Sequence, residues 1–112
     1  MKQKKTTITY TLPAQGKVKL TIVFGDKQKG SSALQNFNKK YVVGDVTGVV
    51  LGSVNEIKGK SLFISSMVTD INPSTDWTSI TYSINDEDVK TYEEETDSPN
   101  DSIVYATTIK FV

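Results

Sequence analysis

Cysteine, histidine and arginine are all absent from this chain of 112 residues. Without cysteine there is no disulfide framework, no thiolate nucleophile and no zinc–thiolate site. Without histidine the chain lacks the commonest general base near neutral pH and every histidine-ligated metal site. All 13 positive charges are lysine, so the bidentate guanidinium contacts that recognise guanine are excluded. We therefore expect no sequence-specific nucleic-acid recognition.

Long apolar runs are also missing. No run approaches the roughly 18 apolar residues of a membrane span, so none is predicted. Lys2, Lys4 and Lys5 resemble the basic start of a signal peptide, but Thr6 to Thr11 alternate in polarity instead of forming an apolar stretch. We predict a basic tail over residues 1–5 and a single domain over 6–112. As written the chain fits a cytoplasmic protein, and an exported protein whose leader had been removed would look the same.

The dominant pattern is alternation of apolar and polar residues with a period of two, which is typical of half-buried β-strands. The cleanest examples are Val18–Phe24, Trp77–Ile84 and the C-terminal segment from Ser102. Turn residues separate such segments at intervals of roughly 8 to 12 residues, which indicates a sandwich or a barrel. We predict an all-β fold, an antiparallel β-sandwich of seven or eight strands with an immunoglobulin-like layout. The Cys-Trp-Cys pattern of true immunoglobulin domains is absent.

Two segments allow more specific predictions. In the segment 31–43, Ser32 and Gln35 fit a helical capping box, so one short helix near residues 32–40 is the alternative to a strand there. The segment 61–71 is a long strand in which Phe63, Met67 and Ile71 lie opposite a second apolar set. Apolar residues on both faces predict that this strand lies centrally between two layers.

Charge is divided unevenly along the chain. Residues 1–60 contain eleven lysines and three acidic residues, a net charge of +8, whereas residues 61–112 contain two lysines and ten acidic residues, a net charge of −8. If strands from the two halves intermix, these charges pair and serve ordinary solubility. The functional alternative is a basic face and an acidic face that meet a protein partner or a second copy, because complementary faces raise encounter rates and specificity.

Acidic residues are concentrated in three predicted loops. Calcium takes six to eight oxygen ligands, and loop carboxylates at one end of a sandwich can supply them. No Asp-x-Asp-x-Asp-Gly loop is present, and solvated turns rich in Asp and Asn are the ordinary explanation. The candidate calcium ligands are Asp70, Asn72, Asp76, Asp86, Asp88, Asp97 and Asp101.

Two aromatic residues, Trp77 and Tyr92, are candidates for an exposed platform that stacks on sugars or anchors a protein partner. Glu87 and Glu93 to Glu95 are the only candidate carboxylate pairs for glycosidase chemistry, and solvent around a short polar strand leaves them ordinary acids. We therefore predict no enzymatic activity and no cofactor. The expected function is a binding or structural interaction module with a protein partner; the alternative is a calcium- or carbohydrate-binding sandwich domain.

Overall fold

A computed structural model describes residues 2–25, 27–71, 76–96 and 101–112. These residues form nine strands and one short helix, arranged as two sheets that face each other. The elements are β1 (Lys2–Tyr10), β2 (Lys17–Phe24), β3 (Gln28–Gln35), β4 (Tyr41–Gly44), β5 (Val49–Ser53), α1 (Val54–Ile57), β6 (Ser61–Asp70), β7 (Trp77–Ile84), β8 (Glu87–Glu95) and β9 (Ser102–Phe111).

The two sheets confirm the predicted all-β sandwich. The five-stranded sheet has the order β1-β9-β6-β3-β4, and the four-stranded sheet has the order β5-β2-β7-β8. Every pairing is antiparallel except β1 with β9, where the two strands run parallel in register from Lys2 opposite Ile103 to Tyr10 opposite Phe111. The first and last strands of the chain thus lie side by side.

The hydrophobic core lies between the sheets and is built from the alternating residues of both. The predicted inward residues of β2, β7 and β9 are buried, and Ile64 of β6 joins them. Period-two alternation places one set of side chains on a single face of each strand, and the inner face excludes water. The buried strand residues that were predicted to align are Val18, Leu20, Ile22, Ile80, Tyr82, Ile84, Ile103, Tyr105, Ile109 and Phe111.

The alternative of a short helix near residues 32–40 is wrong. Residues up to Gln35 belong to β3, where Ser32 and Leu34 point inward and are buried, and Asn36 and Lys40 close a hairpin to β4. Ser32 does not cap a helix; its hydroxyl lies 2.6 Å from the Ser66 hydroxyl of the neighbouring strand. The pairing of β3 with β6 therefore determines the structure of this segment, and the local capping pattern does not. This extra hairpin raises the number of strands to nine instead of seven or eight.

The helix that does form is α1, between β5 and β6. Ser53 and Glu56 make a true capping box: the Glu56 amide donates to the Ser53 hydroxyl, and the Ser53 amide donates to a Glu56 carboxylate oxygen. The hydrogen bonds with Ser53 lower the pKa of Glu56. The buried Val54 and Ile57 attach this single turn to the core.

Lys2 to Lys5, predicted to be a basic tail, belong to β1 and run along the edge of the sandwich. The Lys4 ammonium lies 3.0 Å from a carboxylate oxygen of Glu94 on β8, and the Lys2 ammonium lies 3.5 Å from the other oxygen. The hydrogen bond from Lys4 lowers the pKa of Glu94. Lysines of the first half of the chain thus meet an acid of the second half where the two sheets approach each other.

Gly30 on β3 provides a test of how closely the two sheets approach. A Cβ atom added at Gly30 would lie 2.6 Å from two ring carbons of Phe24, which belongs to the facing sheet. We expect Gly30→Ala to lower the free energy of unfolding by about 1–3 kcal/mol, because overpacking forces side chains or backbone to shift. Urea denaturation measures the change. Phe24→Leu in the same chain should recover part of the loss, and equal stability of Gly30→Ala and the original protein would contradict this packing.

Candidate functional site

The five predicted calcium ligands that the structure describes do not come together in one place. Asp70, Asp76 and Asp101 lie at the end of the sandwich where β6 ends and β7 and β9 begin. Asp86 and Asp88 lie at the turn between β7 and β8, and the length of an eight-residue strand, about 25 Å, separates the two groups. Asn72 and Asp97 lie outside the described residues. Within the ranges that are described, no group of three or more acidic side chains is placed to hold a metal ion.

The loop acids that the structure describes make mostly local contacts. The Ser83 hydroxyl donates to an Asp88 carboxylate oxygen at 2.6 Å, and the Ser102 amide donates to the Asp101 carboxylate at 2.8 Å. Asp70 is fully buried, and its amide donates to the Asp101 carbonyl. Such contacts are those of acidic residues that stabilise turns and strand ends.

Trp77 and Tyr92 lie in different surroundings. Tyr92 is half-buried at the β1–β8 edge, where its ring meets Tyr82 edge-on with centroids 6.1 Å apart and its hydroxyl lies 3.5 Å from the Thr7 carbonyl. It therefore closes the gap between the sheets. Trp77 is 51% exposed on the outside of the four-stranded sheet, opposite Glu95 of β8. The two rings thus do not form one platform.

A different set of exposed aromatic residues lies on the outward-facing side of the five-stranded sheet, which we call the outer face. Tyr41 of β4 is 76% exposed and Phe63 of β6 is 70% exposed. Met67 and Val43 on the same face are also exposed. Single exposed apolar residues are ordinary, but several on one sheet face indicate a binding surface.

The strand register places the two aromatic residues in one row across the sheet. Tyr41 is opposite Gln35 of β3, and the β3–β6 register continued by one residue sets Gln35 opposite Phe63. Phe63 is opposite Thr108 of β9, which is opposite Thr7 of β1. The rings are therefore two strands apart, about 10 Å, with an amide side chain between them and threonine hydroxyls beyond.

Small residues form the next row and deepen the surface into a groove. Ala33, Ser65 and Ala106 lie opposite one another on β3, β6 and β9, so that the side chains of the aromatic row stand above them. The open groove has a volume of about 980 Å³, a size typical of sites for small or chain-like ligands. Its length across the strands, from β4 to β1, is about 19 Å, four strand spacings.

The lining of the groove is mostly apolar, and among the described residues it contains no acidic side chain. Its polar side chains include hydroxyls and amides, and Lys5 and Lys39 are the only charged residues in that described lining. The remaining outward positions of the five strands add Lys29 and Lys110, and in the described part of the chain none of these outward positions is Asp or Glu. The outer face therefore carries positive charge alone, whereas the exposed side of β8 carries Asp88, Glu93 and Glu95.

A hydrogen-bonded set of buried hydroxyls supports the groove from the core. The Tyr82 hydroxyl of the facing sheet lies 2.7 Å from Thr107, whose hydroxyl lies 2.8 Å from Thr6. Burial raises the pKa of Tyr82 to about 12, and burial also raises the pKa of Tyr105. Tyr105 pairs its hydroxyl with Thr78 at 2.7 Å. These neutral, mutually satisfied hydroxyls hold β1, β7 and β9 in one arrangement beneath the groove.

The groove was not predicted from the sequence, because Phe63 and Met67 were expected to lie inside the fold. Both were expected to be covered by a second layer, and the structure shows both exposed. A signal was present: Ser61, Ser65 and Thr69 alternate with them on the same face of β6. Three hydroxyl residues on the face of Phe63 and Met67 indicate a solvated surface with apolar members instead of a buried layer.

Two comparisons with known proteins give no match, so the function is inferred from the groove. No protein-family model matches the chain, and a search of curated proteins finds no similar sequence. The described residues contain one helix, the single turn α1, and no helix long and apolar enough to cross a membrane.

Proposed function

We propose that the protein is a non-enzymatic binding module that holds a carbohydrate chain in the groove across its five-stranded sheet. The observation that carries this proposal is the row of Tyr41, Gln35 and Phe63, two exposed rings with an amide between them above a floor of small residues. Aromatic faces stack on the apolar faces of sugar rings, and amide and hydroxyl groups hydrogen-bond to sugar hydroxyls. The proposal depends only on the two-sheet architecture. The immunoglobulin-like layout of the strands stays a prediction.

A carbohydrate suits the groove better than an extended peptide. Peptides that lie along sheets gain affinity from main-chain hydrogen bonds to a free strand edge. The groove floor is the face of a sheet, so the backbone groups of β3, β6 and β9 are used in the ladders between them. The groove offers side-chain hydroxyls and the amides of Gln35 and Asn36, which match the hydroxyl groups of a sugar chain.

Binding without catalysis agrees with the residues that line the groove. Among the described residues, the lining contains no acid that could serve as general acid or base, whereas glycoside hydrolysis needs a pair of carboxyl groups about the scissile bond. The glutamates considered from sequence all lie on β8 of the other sheet: Glu87, Glu93, Glu94 and Glu95. One feature of the outer face also suits a protein-binding role. It is the exposed apolar set of Tyr41, Val43, Phe63 and Met67.

The test is affinity electrophoresis and calorimetry against a panel of soluble glycans, with xylan, β-glucan, galactomannan and polygalacturonate as probes. We expect at least one to bind, and Phe63→Ala to weaken that binding about tenfold or more, since a contacting aromatic side chain contributes ~1.4 kcal/mol or more. The melting temperature should change little, because Phe63 is exposed.

Trp77→Ala is the matched control, since Trp77 is an exposed aromatic residue on the other sheet. It should leave glycan affinity unchanged. Loss of binding in Trp77→Ala with retention in Phe63→Ala would reject the groove as the site. Failure of every glycan to bind, together with binding of a protein partner that Phe63→Ala abolishes, would reject the carbohydrate in favour of a protein ligand.

A further inference from the structure

The charge of the groove narrows the class of ligand. Lys5 lies on β1 at one side of the sheet, and Lys39 lies beside β4 at the opposite side. In the described part of the chain, neither ammonium group lies within salt-bridge distance of a carboxylate, unlike Lys2 and Lys4. Two lysines at opposite ends of a groove whose described lining contains no acid make both ends of the groove positive.

We infer that the ligand is an acidic polysaccharide, a chain of sugars that bear carboxylates, lying across the strands from Lys39 to Lys5. This inference rests on the proposed function and adds the charge of the ligand to it. Each carboxylate near an end of the groove accepts hydrogen bonds from an ammonium group, while the sugar rings between them contact Phe63 and Tyr41. A neutral sugar chain would leave the two ammonium groups hydrated and without an anionic partner.

The arrangement of charge favours an acidic glycan over single-stranded nucleic acid. Nucleic acids carry a charge on every nucleotide and are bound by grooves in which cationic groups follow the backbone closely. Lys5 and Lys39 are the only cationic residues in the described lining of this groove, about four strand spacings apart. Between them lie aromatic, aliphatic, hydroxyl and amide side chains, which match a chain of sugar rings with widely spaced charges.

Pairs of ligands that differ only in carboxylate charge test the inference. Polygalacturonate is compared with its fully methyl-esterified form, and oligosaccharides of cello-uronic acid are compared with cello-oligosaccharides of equal length. We expect at least one acidic member to bind about tenfold or more tightly than its neutral counterpart in calorimetry. The difference should shrink as salt is raised from low ionic strength to 0.5 M, because the ammonium groups are exposed to solvent.

Matched double variants connect this preference to the groove. Lys5→Gln/Lys39→Gln should remove most of the preference for the acidic chain, so that the affinities for the acidic and neutral chains become nearly equal. Lys17→Gln/Lys19→Gln changes the net charge equally on the outside of the four-stranded sheet and should retain the preference. The melting temperature of each variant reports on folding separately from binding.

Each result has a distinct meaning. Binding of acidic and neutral members with equal affinity, still weakened by Phe63→Ala, overturns the inference and leaves the proposed function in place. Absence of binding to every glycan overturns both. Tighter binding of a single-stranded oligonucleotide than of any acidic glycan, lost in Lys5→Gln/Lys39→Gln, overturns the inference in favour of nucleic acid.

Discussion

Ile22→Asp is expected to unfold the protein. Ile22 is 6% exposed in the centre of β2, opposite Tyr82 of β7, and its amide donates to the Val46 carbonyl. Aspartate at this position would place a carboxylate in the core with no positive partner, or would require the carboxyl group to be protonated at neutral pH. Either state costs several kcal/mol, a large part of the ~5–15 kcal/mol by which domains of this kind are stable.

Val23→Asp is the matched control, because Val23 is the next residue of β2, also β-branched, and 52% exposed on the other side of the strand. Aspartate there remains in solvent, so we expect a cooperative thermal transition close to that of the original protein. Circular dichroism and thermal melting of the two variants provide the comparison. A folded, cooperatively melting Ile22→Asp protein would refute the assignment of β2 to the core.

Strand faces are the part of this fold that short-range pattern predicts best. In β2, β7 and β9 the alternate residues are strongly apolar, and one face of a sandwich strand must be buried, so inward residues such as Leu20 and Ile109 follow from periodicity. The same reasoning failed where polar residues face inward. Ser32 and Ser66 are buried because their hydroxyls bond each other across two strands, a pairing that neither strand's own sequence indicates.

The set of residues that forms the groove could not be predicted, for a related reason. Its defining row joins Tyr41, Gln35, Phe63, Thr108 and Thr7, which come from five strands distributed over the whole chain. Which residues become neighbours depends on the register of β3 with β6 and on the parallel pairing of β1 with β9. Register of strands far apart in sequence is set by long-range packing, and a shift of one residue would replace every member of the row.

The uneven charge of the two halves had two outcomes in the structure. One part of it is neutralised where Lys2 and Lys4 meet Glu94. Another part is separated in space, with lysines alone on the outer face and carboxylates on the exposed side of β8. The sequence predicted these as alternatives, but strand order allows both, because β1 contributes lysines to the β8 edge through Lys4 and to the outer face through Lys5.

Tyr82 is expected to make the protein lose stability in alkaline solution. Its hydroxyl is buried against Thr107, and burial raises its pKa from 10.0 to about 12. Between these pH values tyrosine ionises in the unfolded chain but stays neutral in the folded protein. The contribution of Tyr82 to the free energy of unfolding is therefore complete below pH 10 and is lost as pH rises through 12. A difference of two pH units corresponds to ~3 kcal/mol at most, and the raised pKa of Tyr105 acts in the same direction.

Tyr82→Phe and Tyr41→Phe separate this effect from the titration of lysines, which both variants retain. Tyr82→Phe should cost about 1–2 kcal/mol at pH 8, because Thr107 loses a buried partner, and should flatten the decline in stability from pH 9 to 11.5. Tyr41 is exposed, so Tyr41→Phe should alter neither quantity. Urea denaturation at each pH measures the stability, and absorbance at 295 nm follows tyrosinate. If the pH dependence of Tyr82→Phe equalled that of Tyr41→Phe, the buried hydroxyl beneath the groove would not be the group that titrates.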